Sequence, residues 1–176
     1  MRRTAASHAD QFLLFECPVG WLGIVAGPNG LVEIVSRPRE EEVRQHIAGR
    51  YPGARERGEG LCKQTSLQLA DYFAGQRQSF DLPVDLSGLR EFTRTVLETL
   101  RQVPAGSTVS YGELARRAGR PGAARAVGGA MAGNPLPIVI PCHRVIGAGG
   151  KLVGYSGGRG VETKEWLLEF ERGQTK

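Results

Sequence analysis

The segment 138–147, which reads IVIPCHRVIG, restricts the chain more than any other part of the sequence. The three β-branched residues before Pro141 are typical of buried, extended chain. Pro141 fixes its own φ angle and lacks an N–H group, so regular sheet or helix cannot continue through it. Cys142 is therefore predicted to lie on a stiff, irregular segment, with the titratable ring of His143 beside it.

Two explanations of Cys142 are open on this segment alone. Most free cysteines are buried and pack as small hydrophobic side chains. A reactive thiol instead needs a polar, partly open setting, and the break at Pro141 can provide one. The chain has an odd number of cysteines, Cys17, Cys62 and Cys142, which does not form a disulfide framework. A reducing compartment fits this number, and there Cys142 stays a free thiol.

The length of 176 residues, with 40% hydrophobic and 23% charged residues, indicates a globular chain of one large or two small domains. No apolar run approaches the length of a membrane span. The apolar residues 12–15 are followed by Glu16, which favours a strand over a signal peptide. We therefore expect a cytoplasmic protein without a membrane partner.

The net charge of +5 is concentrated in the second half of the chain. Residues 1–87 carry 10 Lys and Arg against 11 Asp and Glu, whereas residues 88–176 carry 13 against 7. A local excess of positive charge favours a polyanionic partner, and nucleic acid is the usual one. A basic surface that is merely solvated is the alternative.

Residues 1–87 are predicted to form a small N-terminal α+β domain. Asn29-Gly30, between two apolar runs, indicates a β-hairpin, and the polar residues 53–60 indicate a loop. Strands are predicted at 11–17, 21–26, 31–36 and 80–86, and helices at 39–51 and 61–73. The buried side of the second helix is predicted to consist of Leu67, Leu69, Ala70 and Phe73.

No metal site is predicted in this first half. Its candidate ligands lack the close paired spacing of zinc ligands. They are His8, Cys17, His46 and Cys62. Surface or core positions explain them without a metal ion.

Residues 88–176 read as a mostly helical second domain. Ser110 and Glu113 form a capping-box pattern that starts a short helix, and a glycine-containing turn at 119–122 leads into a second helix over 123–133. This is the helix-turn-helix pattern, which also occurs as a packing unit in proteins that do not bind DNA. Two further helices are predicted, at 89–103 with its buried face at Phe92, Val96, Leu97 and Leu100, and at 161–171.

The second helix of the pair, AARAVGGAMA, contains two glycines, each of which costs roughly 1 kcal/mol relative to alanine. Close approach of its backbone to another surface would offset that cost. The minor groove of DNA, about 6 Å wide, accepts only a slim helix. Arg125 is then the one long side chain placed to enter the base stack. Tight packing against another helix, with Arg125 solvated, is the alternative.

The motifs SYGELA, GAARAVGGAMAGNP, IPCHRVIG and GYSGG occur in order over residues 110–171. In this order and spacing they resemble the O6-alkylguanine-DNA alkyltransferases, also called methylated-DNA–protein-cysteine methyltransferases. The resemblance implies an α/β (α+β) fold with two domains. Residues 1–87 would form a ribonuclease H-like α+β domain, and residues 88–176 a winged helix-turn-helix-like domain for DNA binding and alkyl transfer.

The resemblance also implies roles at the reaction centre. Cys142 resembles the acceptor thiol, and Asn134 resembles the residue that braces the segments around it. His143, through a water molecule, and Glu171 on the last helix resemble the relay that removes the thiol proton. The loop before that helix is longer than in known members, so Glu169 is the alternative to Glu171.

Further roles concern the DNA. Arg125 resembles the finger that fills the gap left by the extruded nucleotide, and Tyr111 resembles the residue that turns the nucleotide out. Tyr155 and the Ser156 amide resemble the donors to O6 of guanine. The other residues that the resemblance places at the DNA are Ser110, Ala124 and Gly128, and those at the substrate are Val145 and Met131.

The implied activity is direct repair of DNA, in which a monomer transfers the alkyl group of O6-alkylguanine or O4-alkylthymine irreversibly to its own Cys142. The partner would be double-stranded DNA, bound in the minor groove with the base flipped out, and no cofactor is expected. In a prokaryote such a protein would associate with the nucleoid. Two rival readings are a DNA-binding module without transfer chemistry, which Cys142 disfavours, and a thiol hydrolase, which explains neither the glycine-rich helix nor the charge asymmetry.

Overall fold

The structure, a computed structural model, describes residues 9–174 and divides into two compact units, Met1–Leu89 and Arg90–Lys176. The strands are β1 (Gln11–Cys17), β2 (Gly20–Gly27), β3 (Gly30–Arg37), β4 (Arg55–Glu56), β5 (Val109–Ser110) and β6 (Val145–Ile146). The helices are α1 (Glu40–Arg50), α2 (Gly60–Phe73), α3 (Glu91–Leu100), α4 (Tyr111–Arg117), α5 (Ala124–Ala132) and α6 (Val161–Gln174). Short 3₁₀ turns span Cys142–Arg144 and Ala148–Gly150.

The first unit is a four-stranded sheet in the order β3-β2-β1-β4, with α1 and α2 packed on it. The first three strands are antiparallel, and β2 turns into β3 at Asn29-Gly30, which confirms the predicted hairpin. Gly23 on β2 lets α1 lie close, because a Cβ there would be 2.5 Å from Val43 and 2.7 Å from Ile47. On the other face Ile24 is fully buried.

The buried side of α2 was predicted correctly only in part, since Leu69 is fully buried and Phe73 is half-buried. Leu67 is 53% exposed and Ala70 is also exposed. Gln68 is buried instead, because its side-chain amide donates to the Asp81 carbonyl at 3.1 Å and accepts from the Asp81 amide at 3.0 Å. The residues that α2 buries are Cys62, Thr65, Ser66, Gln68, Leu69 and Tyr72.

Two other predictions in the first unit were wrong in part. Residues 80–86 form no strand and make one isolated bridge, between Val84 and Leu31, because Pro83 interrupts the donors of the segment. The predicted loop at 53–60 contains β4, which pairs in parallel with β1. His8 lies outside the described residues. Among residues 9–174 no group of three or more His, Cys, Asp and Glu is placed to hold a metal ion.

The second unit is built on three packed helices, α3, α4 and α5. Ser110 caps α4, since its hydroxyl accepts from the Glu113 amide at 3.1 Å, as the capping pattern predicts. A glycine-containing turn then joins α4 to α5, which confirms the helix-turn-helix. Strand β5 pairs in parallel with β6, so the chain just after Cys142 lies beside the start of α4. Within the described part of the chain no helix is long and apolar enough to span a membrane.

Candidate functional site

The chain before Cys142 is buried, as predicted, but it is not extended. Ile138 has a φ of 75°, in the left-handed region, and residues 136–140 fold into a compact turn. The Asn134 side chain holds this turn by donating to the Ile140 carbonyl at 2.8 Å and accepting from the Leu136 amide at 3.0 Å. A side-chain amide thus replaces the strand partner that an extended segment would need.

Cys142 begins the 3₁₀ turn Cys142–Arg144 directly after Pro141. A 3₁₀ turn has three residues per turn, so neighbouring side chains do not point in opposite directions as they do in a strand. Cys142 and His143 can therefore serve one site. Cys142 is 5% exposed and His143 is fully buried.

A carboxylate from α6 closes the site behind His143. Glu171 is fully buried, and its Oε1 lies 2.8 Å from Nε2 of His143. Arg144 donates to the same carboxylate through Nη2 at 2.8 Å and through Nε at 3.0 Å, and the Gly106 amide adds a hydrogen bond of 3.1 Å. Glu169 is exposed to solvent. Of the two candidates on α6, only Glu171 contacts His143.

The electrostatics of this cluster define the protonation of His143. Burial alone would raise the pKa of Glu171, but hydrogen bonds from His143 and Arg144 outweigh it and hold that pKa well below its ordinary value. Burial lowers the pKa of His143, although Glu171 opposes the shift. A neutral His143 therefore donates from Nε2 to the carboxylate and leaves Nδ1 as an acceptor. Nδ1 is buried and has no partner among residues 9–174.

Burial also raises the pKa of the Cys142 thiol, and four interactions oppose that shift. They are a hydrogen bond from the Asn134 side chain, the charge of Lys164 on α6, and hydrogen bonds from the backbone of Cys142 and of His143. The same helix thus brings two charged groups, Lys164 and Glu171, to the segment around Cys142.

Cys142 opens onto a cavity of about 230 Å³. Polar groups at its wall come from the phenol rings of Tyr111 and Tyr155 and from Ser156, and the remaining wall is small or apolar. The lining residues are Tyr111, Gly128, Met131, Ala132, Cys142, Gly154, Tyr155 and Ser156.

Helix α5 exposes a face of small side chains and a single arginine. The exposed residues are Arg125, Ala126, Gly129 and Ala132, together with Gly133 directly after the helix. A Cβ on Gly129 would meet no atom within 4 Å, and a Cβ on Gly128 would meet only the Tyr111 ring at 4.0 Å. Packing inside the protein therefore does not require either glycine. The Arg125 guanidinium has no hydrogen-bond or ion-pair partner within residues 9–174, whereas Arg116 and Arg117 pair with Glu113.

Comparison with known proteins agrees with this geometry. A family model described as "6-O-methylguanine DNA methyltransferase, DNA binding domain" matches residues 91–173. A methylated-DNA–protein-cysteine methyltransferase of Methanosarcina acetivorans is 39% identical over 162 residues, which are 91% of this chain and 97% of that protein. The chain belongs to the methylated-DNA–protein-cysteine methyltransferase family.

Two other members of the family resemble this chain closely. A methylated-DNA–protein-cysteine methyltransferase of Mycolicibacterium paratuberculosis is 55% identical over 105 residues, which cover 60% of this chain and 62% of that protein. The crystal structure of Mycobacterium tuberculosis OGT in complex with DNA superimposes with a TM-score of 0.77 at 39% identity, and covers 93% of this chain and 94% of that one. This methyltransferase-family chain therefore shares the fold of a protein that has been crystallised with DNA.

The structure brings most of the residues singled out in the sequence to one place in this methyltransferase-family fold. Asn134, Cys142, His143 and Glu171 form the polar centre described above. Five others line the cavity, namely Tyr111, Gly128, Met131, Tyr155 and Ser156. The remaining four lie outside the cavity wall: Val145 is fully buried in β6, Ser110 caps α4, Ala124 begins α5, and Arg125 is exposed on α5.

Sequence reasoning missed Arg144 and Lys164, because long charged side chains are usually solvated. A helical pattern could have found Lys164, since the buried positions of α6 recur at helical spacing and include two charged residues. These positions are Thr163, Lys164, Leu167, Leu168 and Glu171.

Proposed function

We propose that this protein, acting as a monomer, repairs DNA by moving the alkyl group of O6-alkylguanine or O4-alkylthymine onto Cys142. The observation that carries the proposal is the position of Cys142, which lies in a base-sized cavity in front of the buried His143–Glu171 pair. A cavity of about 230 Å³ is smaller than the roughly 300–1,000 Å³ of sites for drug-sized ligands, and it suits one nucleobase.

The reaction is a displacement at the alkyl carbon. The Cys142 thiol gives its proton, through a bridging water molecule, to Nδ1 of His143, whose other nitrogen is held by Glu171. Sγ then attacks the alkyl carbon, a C–S bond forms and the C–O6 bond breaks with its electron pair on oxygen. The guanine that leaves takes up one proton, which balances the proton lost by the thiol.

Donors at the cavity wall would stabilise the leaving base. Negative charge develops on O6 as the C–O bond breaks, and hydroxyl or amide donors aimed at that oxygen lower the barrier. Tyr155 and Ser156 line the same cavity as Cys142, and the Tyr155 hydroxyl and the Ser156 amide are assigned this role. The product is a thioether, which no simple reverse step converts to a thiol, so each molecule acts once.

DNA binding is assigned to the exposed face of α5. Neither Gly128 nor Gly129 serves packing inside the protein, so their absent side chains leave room for something outside it. A helix face of alanine and glycine fits the minor groove, about 6 Å wide, more closely than an ordinary helix does. The crystallised complex of M. tuberculosis OGT with DNA supports DNA as the partner.

Base flipping follows from the position of the reactive atom. O6 of guanine lies at the major-groove edge of the base, so from the minor groove the nucleotide has to leave the stack to reach Cys142, at a cost of a few kcal/mol. Arg125, exposed and without a protein partner, is assigned to fill the gap that the nucleotide leaves. Tyr111 lines the cavity beside Gly128 of α5 and is assigned to guide the nucleotide at its phosphate.

Mass spectrometry of the protein after incubation with a duplex that carries O6-methylguanine tests the proposal. We expect one added methyl group per molecule, located in the peptide that contains Cys142, and none in the Cys142→Ser variant. Burial raises the pKa of Cys17 to about 11 and that of Cys62 to about 12, so both stay protonated and serve as internal controls. Repeated turnover, as a thiol hydrolase would show, or methylation at Cys17 or Cys62 would rule out the assignment.

A further inference from the structure

Lys164 is an unusual residue of the second unit because it is a fully buried lysine. Its Nζ donates to the Val145 carbonyl at 2.6 Å and to the Val153 carbonyl at 3.0 Å. It has no carboxylate partner among residues 9–174. Buried charges are normally paired, because an isolated charge in the interior loses its hydration without compensation. The burial of this ammonium group therefore requires an explanation.

The other charges near Cys142 do not supply the missing partner. The guanidinium of Arg144 and the carboxylate of Glu171 neutralise each other. His143 is neutral, and Tyr111 presents a phenol whose hydroxyl donates to the Val153 carbonyl at 3.4 Å. Lys164 is thus the one cation around Cys142, within the described residues, that no anion balances.

The two hydrogen bonds of Lys164 also locate it between the segments that bound the cavity. Val145 directly follows the 3₁₀ turn that carries Cys142, and Val153 directly precedes the loop that contributes Gly154, Tyr155 and Ser156 to the cavity wall. The ammonium group is therefore tied to both segments that carry the cavity wall around Cys142, close enough for its charge to act on the thiol.

We propose that the buried ammonium group of Lys164 is the counter-charge of the Cys142 thiolate. The inference rests on the proposed transfer to Cys142 and assigns Lys164 as a positioning residue, because it acts through the ionisation of the thiol and does not touch the alkylated base. Loss of the thiol proton converts an unpaired buried cation into an ion pair, and in a low-dielectric interior this attraction is stronger than in water.

The electrostatic coupling supports the proposal in both directions. Burial raises the pKa of Cys142, and the charge of Lys164 opposes that shift. Burial lowers the pKa of Lys164, and Cys142 opposes that shift in turn. Such coupling is reciprocal, so a change at either group must appear at the other. Alkylation of the sulfur would remove the anion and leave Lys164 unpaired again.

The decisive experiment compares Lys164→Gln with Lys164→Arg. Glutamine keeps an N–H donor for the carbonyls and loses the charge, whereas arginine keeps the charge and alters the donors. The apparent pKa of Cys142 is measured from the pH dependence of thiolate ultraviolet absorbance, with Cys142→Ser as the blank. We expect the pKa to rise by about one unit or more in Lys164→Gln and to stay near the wild-type value in Lys164→Arg.

The rate of methyl transfer should follow the pKa of the Cys142 thiol. In Lys164→Gln the rate at pH 7 should fall about tenfold for each unit of pKa increase and recover as the pH is raised. An unchanged thiol pKa in Lys164→Gln, or equal shifts in both variants, would overturn the proposal, since a purely structural residue would behave that way. The titration needs no DNA, so it tests the role of Lys164 even if methyl transfer to Cys142 fails.

A second measurement leaves Lys164 intact and covers the case in which its variants do not fold. The titration of Lys164 is followed by NMR of lysine labelled at Cε, in the wild-type protein and in Cys142→Ser. Serine does not ionise in this pH range, so we expect the pKa of Lys164 to be lower in Cys142→Ser than in the wild type. The same pKa in both proteins would overturn the proposal.

Discussion

The carboxylate of Glu171 lies 2.8 Å from Nε2 of His143, although the two residues are far apart in the chain and both are fully buried. This contact assigns the proton of the imidazole to Nε2 and directs the unprotonated Nδ1 elsewhere in the site. The Arg144 guanidinium keeps the carboxylate charged by binding both of its oxygens. The three side chains therefore act as a unit, and changes to them should not be additive.

The first prediction concerns the stability of this unit. Glu171→Gln leaves the Arg144 guanidinium buried without an anion, which should lower the free energy of unfolding by about 3–5 kcal/mol. In the double variant Arg144→Met/Glu171→Gln both charges are gone, so its loss should be clearly smaller than the sum of the single losses. Urea unfolding is measured for Glu171→Gln, for Arg144→Met and for the double variant. Glu169→Gln, at an exposed position, is the control and should change stability by no more than about 0.5 kcal/mol; additive losses would contradict the coupling.

The second prediction concerns the stability of the protein at acidic pH. The pKa of His143 is lowered in the folded protein, so the unfolded chain takes up the proton first as the pH falls. Its contribution to stability is present above about pH 6.5, the ordinary histidine pKa, and is lost as the pH falls through the folded pKa. The depressed pKa of Glu171 adds a second loss below about pH 4.3. We expect the free energy of unfolding to decrease from about pH 7 to pH 5, with a shallower decrease in His143→Gln; identical slopes would contradict this account.

The third prediction concerns Asn134. Asn134→Ala removes one hydrogen bond to Ile140 and one from Leu136, and leaves two buried backbone groups unpaired at about 1–3 kcal/mol each. Asn134→Asp keeps the acceptor for Leu136 and loses the amide donor to Ile140 and to the Cys142 thiol. Hydrogen exchange of the Leu136 amide should therefore accelerate in Asn134→Ala and stay slow in Asn134→Asp. Fast exchange in both variants would mean that the donor, and not the acceptor, holds the turn.

The fourth prediction concerns Arg125. Arg125→Ala should slow methyl transfer from duplex DNA by roughly tenfold or more, because the gap left by the flipped nucleotide is no longer filled. Reaction with free O6-benzylguanine, which needs no flipping, should change much less. Arg120→Ala removes the same charge from the exposed turn before α5 and should have the smaller effect on the duplex reaction. Equal losses with duplex and free base would refute the role of Arg125.

The fifth prediction concerns the bare face of α5. Gly129→Ala should stabilise the protein by up to about 1 kcal/mol, since a methyl group at this position meets no atom within 4 Å. Gly129→Leu should also fold, but its larger side chain would keep α5 out of the minor groove. We expect Gly129→Leu to react with free O6-benzylguanine at the wild-type rate and to lose most of its affinity for duplex DNA in a titration. Wild-type DNA affinity would show that α5 does not enter the groove.

Local signals in the sequence predicted the elements that depend on neighbouring residues. The hairpin at Asn29-Gly30 and the cap formed by Ser110 at α4 need only a few adjacent residues, and both occur in the structure. The exposed position of Leu67 and the turn around Ile138 were not predicted. Both result from polar side chains that bond to backbone elsewhere, Gln68 to Asp81 and Asn134 to Ile140.

The residues of the candidate site also fall into those that the sequence could indicate and those that it could not. Cys142 and His143 could be singled out because Pro141 interrupts an apolar run just before them. Arg144 could not, since charged residues are ordinarily solvated and only the folded chain shows the carbonyl and the carboxylate that it meets. Helical spacing along α6 could have indicated that Lys164 is buried, but not the carbonyls to which it donates. The choice between Glu169 and Glu171 likewise depends on the rotation of α6, which sequence spacing alone did not resolve.

Lys164 and Glu171 lie on one side of α6, seven positions and therefore about 10 Å apart. Both residues belong to one rigid helix, so the distance between them does not depend on the loop that precedes α6. The connection between Tyr155 and Val161 can consequently gain or lose residues among relatives without disturbing the chemistry. One residue inserted between Lys164 and Glu171 would instead swing one charge about 100° away from the other.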